Sequence, residues 1–218
     1  MAIIQEKDRQ EILKYFEELV HPVKIINFTQ SFECQYCRET RQLLEEVAEL
    51  SDKVSIEVYG LLKDKAEADK YNIEKIPATI ILGEKDYGIR LYGIPSGYEF
   101  TSILQDILMV SKRDSGLSAS SKQKLAAIKE PVHLQVFVTP TCPYCPQAVV
   151  TAHQLAFEND KVTADMVEAT EFPQLSQRYQ VMGVPKTVIN DTSSVDGAVP
   201  EEHLVDHILL SLQKGKKT

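Results

Sequence analysis

The sequence predicts an α/β protein made of two tandem copies of one unit of about 110 residues. Two Cys-X-X-Cys motifs, Cys34-Gln35-Tyr36-Cys37 and Cys142-Pro143-Tyr144-Cys145, lie 108 residues apart. A proline follows the first cysteine of each motif by 43 positions, at Pro77 and at Pro185. Segments with strand and helix periodicity follow one another in the same order around both motifs. This shared spacing indicates an internal duplication.

The first unit is predicted to span residues 1–115. Its elements are assigned from apolar periodicity and from the turn residues between them. Apolar side chains recur at helical spacing over residues 4–20, and Pro22 precedes an apolar strand over 23–28. The elements predicted next are a helix over 37–50, a strand over 54–59, a helix over 63–71, a strand over 78–82, a hairpin strand at 90–92 and a helix over 97–110.

The second unit, residues 116–218, repeats this order after a short polar linker over 114–118, so we expect the two units to pack together. Its hairpin is shorter, because Pro77 precedes Gly93 by 16 positions and Pro185 precedes Gly197 by 12. Such a difference is expected at a surface turn. The predicted elements are a helix over 120–129, a strand over 132–138, a helix after Cys145, a strand over 162–169, a helix over 174–179, a strand over 187–189 and a last helix opened by Pro200.

Composition limits the classes of partner. A net charge of −8 disfavours nucleic acid and anionic membrane surfaces. No apolar run approaches the ~18 residues of a membrane span. The first residues lack a basic region followed by an apolar one, so we expect a cytoplasmic protein without a signal peptide. The chain has no Trp and is rich in Glu and Lys, a composition that weakly favours a thermophilic source.

All four cysteines lie inside the two motifs, which in a cytoplasmic protein indicates metal binding or redox chemistry. Zinc-binding Cys pairs are usually separated by about 15–20 residues, whereas 104 residues separate Cys37 from Cys142. In each unit a strand and a short loop lead to the motif, and a helix follows it. This order places the first cysteine at the N-terminus of the helix, which stabilises its thiolate. Cys34 and Cys142 are therefore the predicted nucleophiles, and Cys37 and Cys145 resolve the mixed disulfide.

The two prolines open a strand in matching contexts, after Ile76 and after Val184. We expect both to be cis and to face the disulfides. The backbone of Ile76 and of Val184 would then be free to pair with an extended substrate, and metal would be excluded from the thiols.

Each unit resembles a thioredoxin fold, and Cys-Pro-Tyr-Cys is the glutaredoxin tetrapeptide. Two intact motifs in about 220 residues resemble the protein disulfide oxidoreductases of thermophilic archaea and bacteria, especially over residues 137–146 and 184–186. The resemblance implies two mixed sheets flanked by helices and joined into one. It also implies an enzyme that reduces, forms or isomerises protein disulfides without an organic cofactor or metal, recharged by a donor like thioredoxin reductase.

One departure concerns the buried acid that thioredoxins carry before the motif, since Asn27 and Val136 occupy the matching positions. Glu168 is the predicted substitute as a proton relay, or else a solvated residue at a strand end. Gly60 takes its place in the first unit, so the two sites are not equivalent.

The residues around the motifs differ in charge and in exposed aromatic groups. Glu33 precedes Cys34 whereas Thr141 precedes Cys142, which predicts that Cys142 ionises at the lower pH. Tyr36 and Tyr144 are either an aromatic rim for substrate or ordinary exposed loop residues.

Three other functions stay open on sequence alone. His203 and His207 could bind a metal but have no third ligand, and a surface pair is favoured. A zinc or iron–sulfur protein would use the same four cysteines. A dedicated electron carrier resembles the tandem folds of flavin-dependent peroxidase reductases, in which one motif is degenerate.

Overall fold

A single mixed sheet of eight strands runs through residues 2–215, the part of the chain described by a computed structural model. The elements of the first unit are α1 (Glu6–Phe16), β1 (Val23–Thr29), α2 (Cys37–Ala48), β2 (Val54–Gly60), α3 (Lys65–Lys70), β3 (Ala78–Leu82), β4 (Asp86–Tyr92), a 3₁₀ turn (Gly97–Glu99) and α4 (Phe100–Lys112). Those of the second are α5 (Ala119–Leu125), β5 (Val132–Val138), α6 (Cys145–Glu158), β6 (Val162–Glu168), α7 (Pro173–Arg178), β7 (Lys186–Ile189), β8 (Ser193–Asp196) and α8 (Glu201–Gly215).

The strand order is β2-β1-β3-β4-β6-β5-β7-β8, so each unit contributes one half of the sheet. The halves join where β4 pairs in parallel with β6, from Ile89 opposite Ala164 to Tyr92 opposite Val167. Within each half, the strand before the motif pairs in parallel with the next strand and antiparallel with the strand that the proline opens. The predicted fold class and the continuous sheet are confirmed.

The sequence suggested that the difference in hairpin length lies at a surface turn, and this prediction is wrong. Both hairpin turns have three residues, at 83–85 and 190–192, so the difference lies in the strands. β4 has seven residues whereas β8 has four, and only the last four residues of β4, Ile89–Tyr92, pair with β6. The base of the hairpin is the same in both units, because Gly93 N donates to Pro77 O and Gly197 N donates to Pro185 O. The additional residues of β4, at 86–88, precede this pairing and contact the second unit through side chains, since the ring of Tyr87 stacks on that of Phe157 with centroids 4.2 Å apart.

Three predicted helices are shorter or less regular than expected. The first ends at Phe16, because Leu19 N donates back to Phe16 O before the chain reaches Pro22. The helix predicted over 97–110 begins as a 3₁₀ turn, and that predicted over 120–129 ends at Leu125. Residue boundaries are set by such local turns. The unit boundary at 115/116 stays a prediction, and Met1 and 216–218 lie outside the described range.

Helices cover both faces of the sheet. The larger core packs α1, α2, α4, α5, α6 and α8 on one face, and α3 and α7 contribute to the smaller core on the other. Phe28 and Phe137, on β1 and β5, are fully buried in the smaller core and pack against Tyr71 and Tyr179 respectively. Both cores include side chains of β1 and β5, so packing fixes the ends of the strands from which the cysteine loops begin.

Candidate active sites

The first cysteine pair lies at the N-terminus of α2. Cys34 and Cys37 form a disulfide with a Cα–Cα distance of 5.5 Å. Cys37 is the first helical residue and is buried, whereas Cys34 is partly exposed in the preceding loop. A reacting partner can therefore reach the sulfur of Cys34 more easily than that of Cys37.

The second pair has the same arrangement at the N-terminus of α6. Cys142 and Cys145 are disulfide-bonded with a Cα–Cα distance of 5.5 Å. Cys145 is fully buried and Cys142 is 8% exposed. Pro146 occupies the first turn of α6, where a missing N–H leaves no helical hydrogen bond unmade. The second site is more enclosed than the first.

The two prolines lie at the start of β3 and β7, each after a cis peptide bond. Cys142 Sγ lies 3.7 Å from the carbonyl oxygen of Val184, so the chain before Pro185 faces the second disulfide. Ile76 and Val184 are both half-buried. Their predicted part in holding an extended substrate stays a proposal.

Apolar side chains surround both sites. Tyr144 is 69% exposed, and Tyr36 is half-buried. The sequence reasoning missed two further exposed apolar side chains, Phe32 before the first motif and Met182 before Pro185, which are 56% and 95% exposed. The sequence signal that could have identified them is their position, since Phe32 lies two residues before Cys34 and Met182 lies three residues before Pro185. A substrate-contact role for the two tyrosines stays a proposal.

Glu168 is buried at the end of β6 and is not a solvated strand-end residue. Its Oε2 accepts hydrogen bonds from Thr170 Oγ1 and from the backbone N of Glu171, both at 2.7 Å. Its Oε1 has no hydrogen-bond partner within residues 2–215. A free carboxylate oxygen in a buried position agrees with the predicted proton relay, which stays a proposal.

Glu99 is a second buried carboxyl that sequence reasoning missed. It lies in the 3₁₀ turn of the first unit, which packs between α6 and the loop before Cys142; Tyr98 N donates to Pro140 O at 3.0 Å. Gly97 allows this approach, because a Cβ there would collide with the carbonyl of Pro140. Burial raises the pKa of Glu99 to about 7, and a hydrogen bond from Ser102 opposes the rise. A contact across units leaves no local sequence signal.

A buried pair next to Glu99 connects the two units. Asp106 of α4 lies 2.8 Å from His153 Nδ1 of α6, and both side chains are fully buried. Burial raises the pKa of Asp106, and the neighbouring His153 partly offsets the rise. No sequence pattern pointed to His153, since its partner is 47 residues away in the other unit.

No group of three or more His, Cys, Asp or Glu side chains within residues 2–215 is arranged to hold a metal ion. His203 and His207 both lie on the exposed face of α8. No helix in the same range is long and apolar enough to span a bilayer.

The surroundings of the two nucleophiles oppose the ionisation order predicted from Glu33 and Thr141. Cys34 shares a cavity wall with the cation Arg38 and is partly exposed. Cys142 is nearly buried, and burial disfavours a thiolate. We therefore expect the reduced protein to alkylate at Cys34 with the lower pH midpoint. Rates read by peptide mass spectrometry would test this, and a lower midpoint at Cys142 would restore the sequence-based order.

Comparison with known proteins places this geometry in context. A family model described as a thioredoxin domain matches residues 23–105 and again residues 132–210. A protein disulfide oxidoreductase from Aeropyrum pernix K1 superposes with a TM-score of 0.89 at 31% identity, over 95% of this chain and 93% of that one.

Components of peroxide reductases are also similar. The structure of alkylhydroperoxide reductase AhpF from Enterococcus faecalis superposes with a TM-score of 0.87 at 28% identity, covering 94% of this chain and 99% of that chain. The corresponding alkyl hydroperoxide reductase polypeptide of Pseudomonas aeruginosa is 23% identical over 200 residues, which is 92% of this chain and 36% of the relative. The chain spans about a third of the length of the curated relatives it matches.

Proposed function

Because the chain belongs to the thioredoxin domain family, we propose that it is a protein dithiol–disulfide oxidoreductase with two active sites. The observation that supports this most is the repeated pairing of an outer and an inner cysteine at a helix N-terminus. In each pair the inner cysteine, Cys37 or Cys145, is the more buried. One sulfur is thus placed to attack a partner and the other to complete the exchange.

The reaction conserves electrons without an organic cofactor. The thiolate of Cys34 or Cys142 forms a bond to one sulfur of a substrate disulfide, and the other substrate sulfur leaves as a thiolate that takes up a proton. Cys37 or Cys145 then loses its proton and attacks its neighbour. The enzyme disulfide closes, the substrate dithiol is released, and two electrons have passed to the substrate. The reverse sequence oxidises a dithiol.

We propose that the substrates are proteins with thiols or disulfides and that a donor like thioredoxin reductase recharges the enzyme in the cytoplasm. The exposed Tyr144 and Met182 beside the second site support an extended peptide as substrate. Whether the enzyme reduces, oxidises or isomerises depends on its two potentials relative to the compartment.

The test is reduction of a disulfide-bridged reporter protein with dithiothreitol as the electron source, together with reactivation of a protein with scrambled disulfides. We expect both activities to require the cysteines and to be absent after their alkylation. Turnover that persists in alkylated protein, or no turnover in the reduced protein, would contradict the proposal.

A second candidate is a dedicated carrier that passes electrons to a peroxidase, favoured by the superposition on alkylhydroperoxide reductase AhpF. Such a carrier would react much faster with one peroxidase disulfide than with unrelated reporters. Comparing the two rates with the same reduced protein separates the candidates.

Glu99 and Glu168 are the proposed acceptors for the proton of Cys145, because each is buried with one carboxyl oxygen that has no hydrogen-bond partner within residues 2–215, and the turn of Glu99 packs on α6, which begins at Cys145. Since the pKa of Glu99 is about 7, its carboxylate form becomes available as pH rises through this value. The release step at the second site should therefore accelerate over the same interval. We expect Glu99→Gln to remove this pH dependence and to slow release by about tenfold or more.

Glu168→Gln is the matched comparison for Glu99→Gln. Stopped-flow measurement of release from a mixed disulfide on Cys142 distinguishes them. An unchanged pH profile in Glu99→Gln together with a lost one in Glu168→Gln would assign the relay to Glu168.

A further inference from the structure

An open cavity of about 510 Å³ lies beside Cys34, within the size range of ligand pockets. Its wall combines two exposed apolar side chains, Phe32 and Leu62, with three cationic ones, Arg38, Arg41 and Lys63. None of the described residues that line it is acidic. The cavity is thus a local cationic surface on a chain with a net charge of −8.

The cations of this wall are mostly not neutralised by the protein itself. Arg41 pairs with Glu45 at 2.7 Å on the exposed face of α2. Arg38 and Lys63 have no ion-pair partner within residues 2–215. The nearby Asp64 accepts a hydrogen bond from Gly60 N at 2.7 Å, at the edge of the same cavity. Two positive charges therefore remain available to a ligand next to the reactive sulfur.

The second site has no counterpart of this wall. From the first cysteine of the motif onward the units align with the 108-residue spacing. Pro146, the buried Val149 and Glu171 then occupy the positions of Arg38, Arg41 and Lys63.

The loop of the first unit also covers this region of the second unit. Ile94 N donates to Glu171 Oε1 at 2.6 Å, and Gly93 lies so close that a Cβ there would collide with Glu168. The cavity beside Cys34 stays open because β2 is an edge strand, whereas β6 lies inside the sheet.

We propose that the first site selects disulfides flanked by acidic segments of a protein substrate, bound by Arg38, Lys63 and Arg41, whereas the second site has no such preference. This specificity rests on the proposed oxidoreductase function. Phe32 and Leu62, 56% and 68% exposed, provide apolar contact for the same segment. Charge complementarity supports this occupant, because the cations of the wall attract carboxylates. The rest of the acidic chain repels an acidic segment, so the attraction is confined to this cavity.

The chemistry at this site is the exchange already described, with the carboxylates of the substrate acting only in binding. The Cys34 thiolate bonds to one substrate sulfur, the other leaves and is protonated, and Cys37 then displaces the substrate as a dithiol. Dithiothreitol supplies the two electrons for each cycle and is itself oxidised to its cyclic disulfide.

The test uses the full chain with Cys142→Ser and Cys145→Ser, so that only the first site turns over. The probes are a peptide with one internal disulfide flanked by glutamates and a matched peptide in which glutamines replace them. We expect kcat/KM for the acidic peptide to be about three- to tenfold higher at low ionic strength, since each exposed ion pair contributes little. High salt should remove the preference.

Lys63→Gln should lower the ratio of the two kcat/KM values by about twofold. The matched control is Lys65→Gln, which removes the same charge from α3, where Lys65 pairs with Asp69 outside the cavity wall. The ratio compares two substrates on one thiolate, so it does not depend on how fast Cys34 itself reacts. If the serine background does not fold, Cys37→Ser traps the mixed disulfide on Cys34, and competition between the two peptides gives the same ratio.

The outcomes separate this specificity from the enzyme function. Equal kcat/KM for both peptides, or an equal loss of preference in Lys63→Gln and Lys65→Gln, would overturn the specificity and leave the function intact. Absence of turnover with either peptide would instead overturn the function. A preference that survives at the second site, measured with Cys34→Ser and Cys37→Ser, would overturn the assignment to the first cavity.

Discussion

Replacing both outer cysteines, Cys34→Ser together with Cys142→Ser, is expected to lower disulfide reductase activity by at least about three orders of magnitude, because an alcohol does not replace a thiolate in the exchange. Each single variant should keep the turnover of the remaining site. The measurement is dithiothreitol-driven reduction of the same reporter at equal protein concentration.

The inner cysteines provide the control for this result. Cys37→Ser and Cys145→Ser should still attack substrate and accumulate a mixed disulfide, which mass spectrometry detects. If instead an inner-cysteine variant turned over normally and the outer-cysteine variants trapped substrate, the roles assigned from exposure would be reversed. Loss of all activity in a single variant would show that the two sites act in one obligatory sequence.

Asp106→Ala is expected to cause a large loss of stability at the contact between the two units. It leaves His153 fully buried without its 2.8 Å partner, and breaking such a pair costs about 3–5 kcal/mol. For a chain of this length that corresponds to a fall in Tm of about 10 °C. Differential scanning calorimetry at neutral pH measures it.

The matched control removes both partners. The double variant Asp106→Leu, His153→Leu leaves neither member of the pair buried without its partner. We therefore expect it to be more stable than Asp106→Ala and to recover most of the stability that the single variant loses. A single variant as stable as the parent, or a double variant less stable than the single one, would contradict the stabilising role of the pair. Ser102→Ala tests whether the neighbouring hydrogen bond to Glu99 contributes separately.

The repeat, the strand order within each unit and the four cysteines could be predicted because each depends on local signals. Residues 78–82 and 132–138 are apolar runs bounded by turn residues, and both strands have the bounds expected. Helix ends were less predictable, since the turn after Phe16 depends on where Leu19 is buried.

The parts of the site that could not be predicted lie where the units meet. Glu99 and His153 belong to different units, and the contacts that bury them are long-range. The cavity beside Cys34 depends on β2 being an edge strand, which follows from sheet order and not from the residues of β2. Glu168 was found as a candidate because it ends an apolar strand, after Met166 and Val167, that was expected to lie beside the strand before the motif.

The pairing of β4 with β6 also determines how the chain could be divided. A cut in the linker between α4 and α5 would leave each half with a newly open strand edge, and the same cut would uncover the apolar face between α4 and α6. Open edges of this kind associate with one another. Either half produced alone should therefore form dimers or insoluble aggregates, so that the shortest soluble form of either active site is the joined pair.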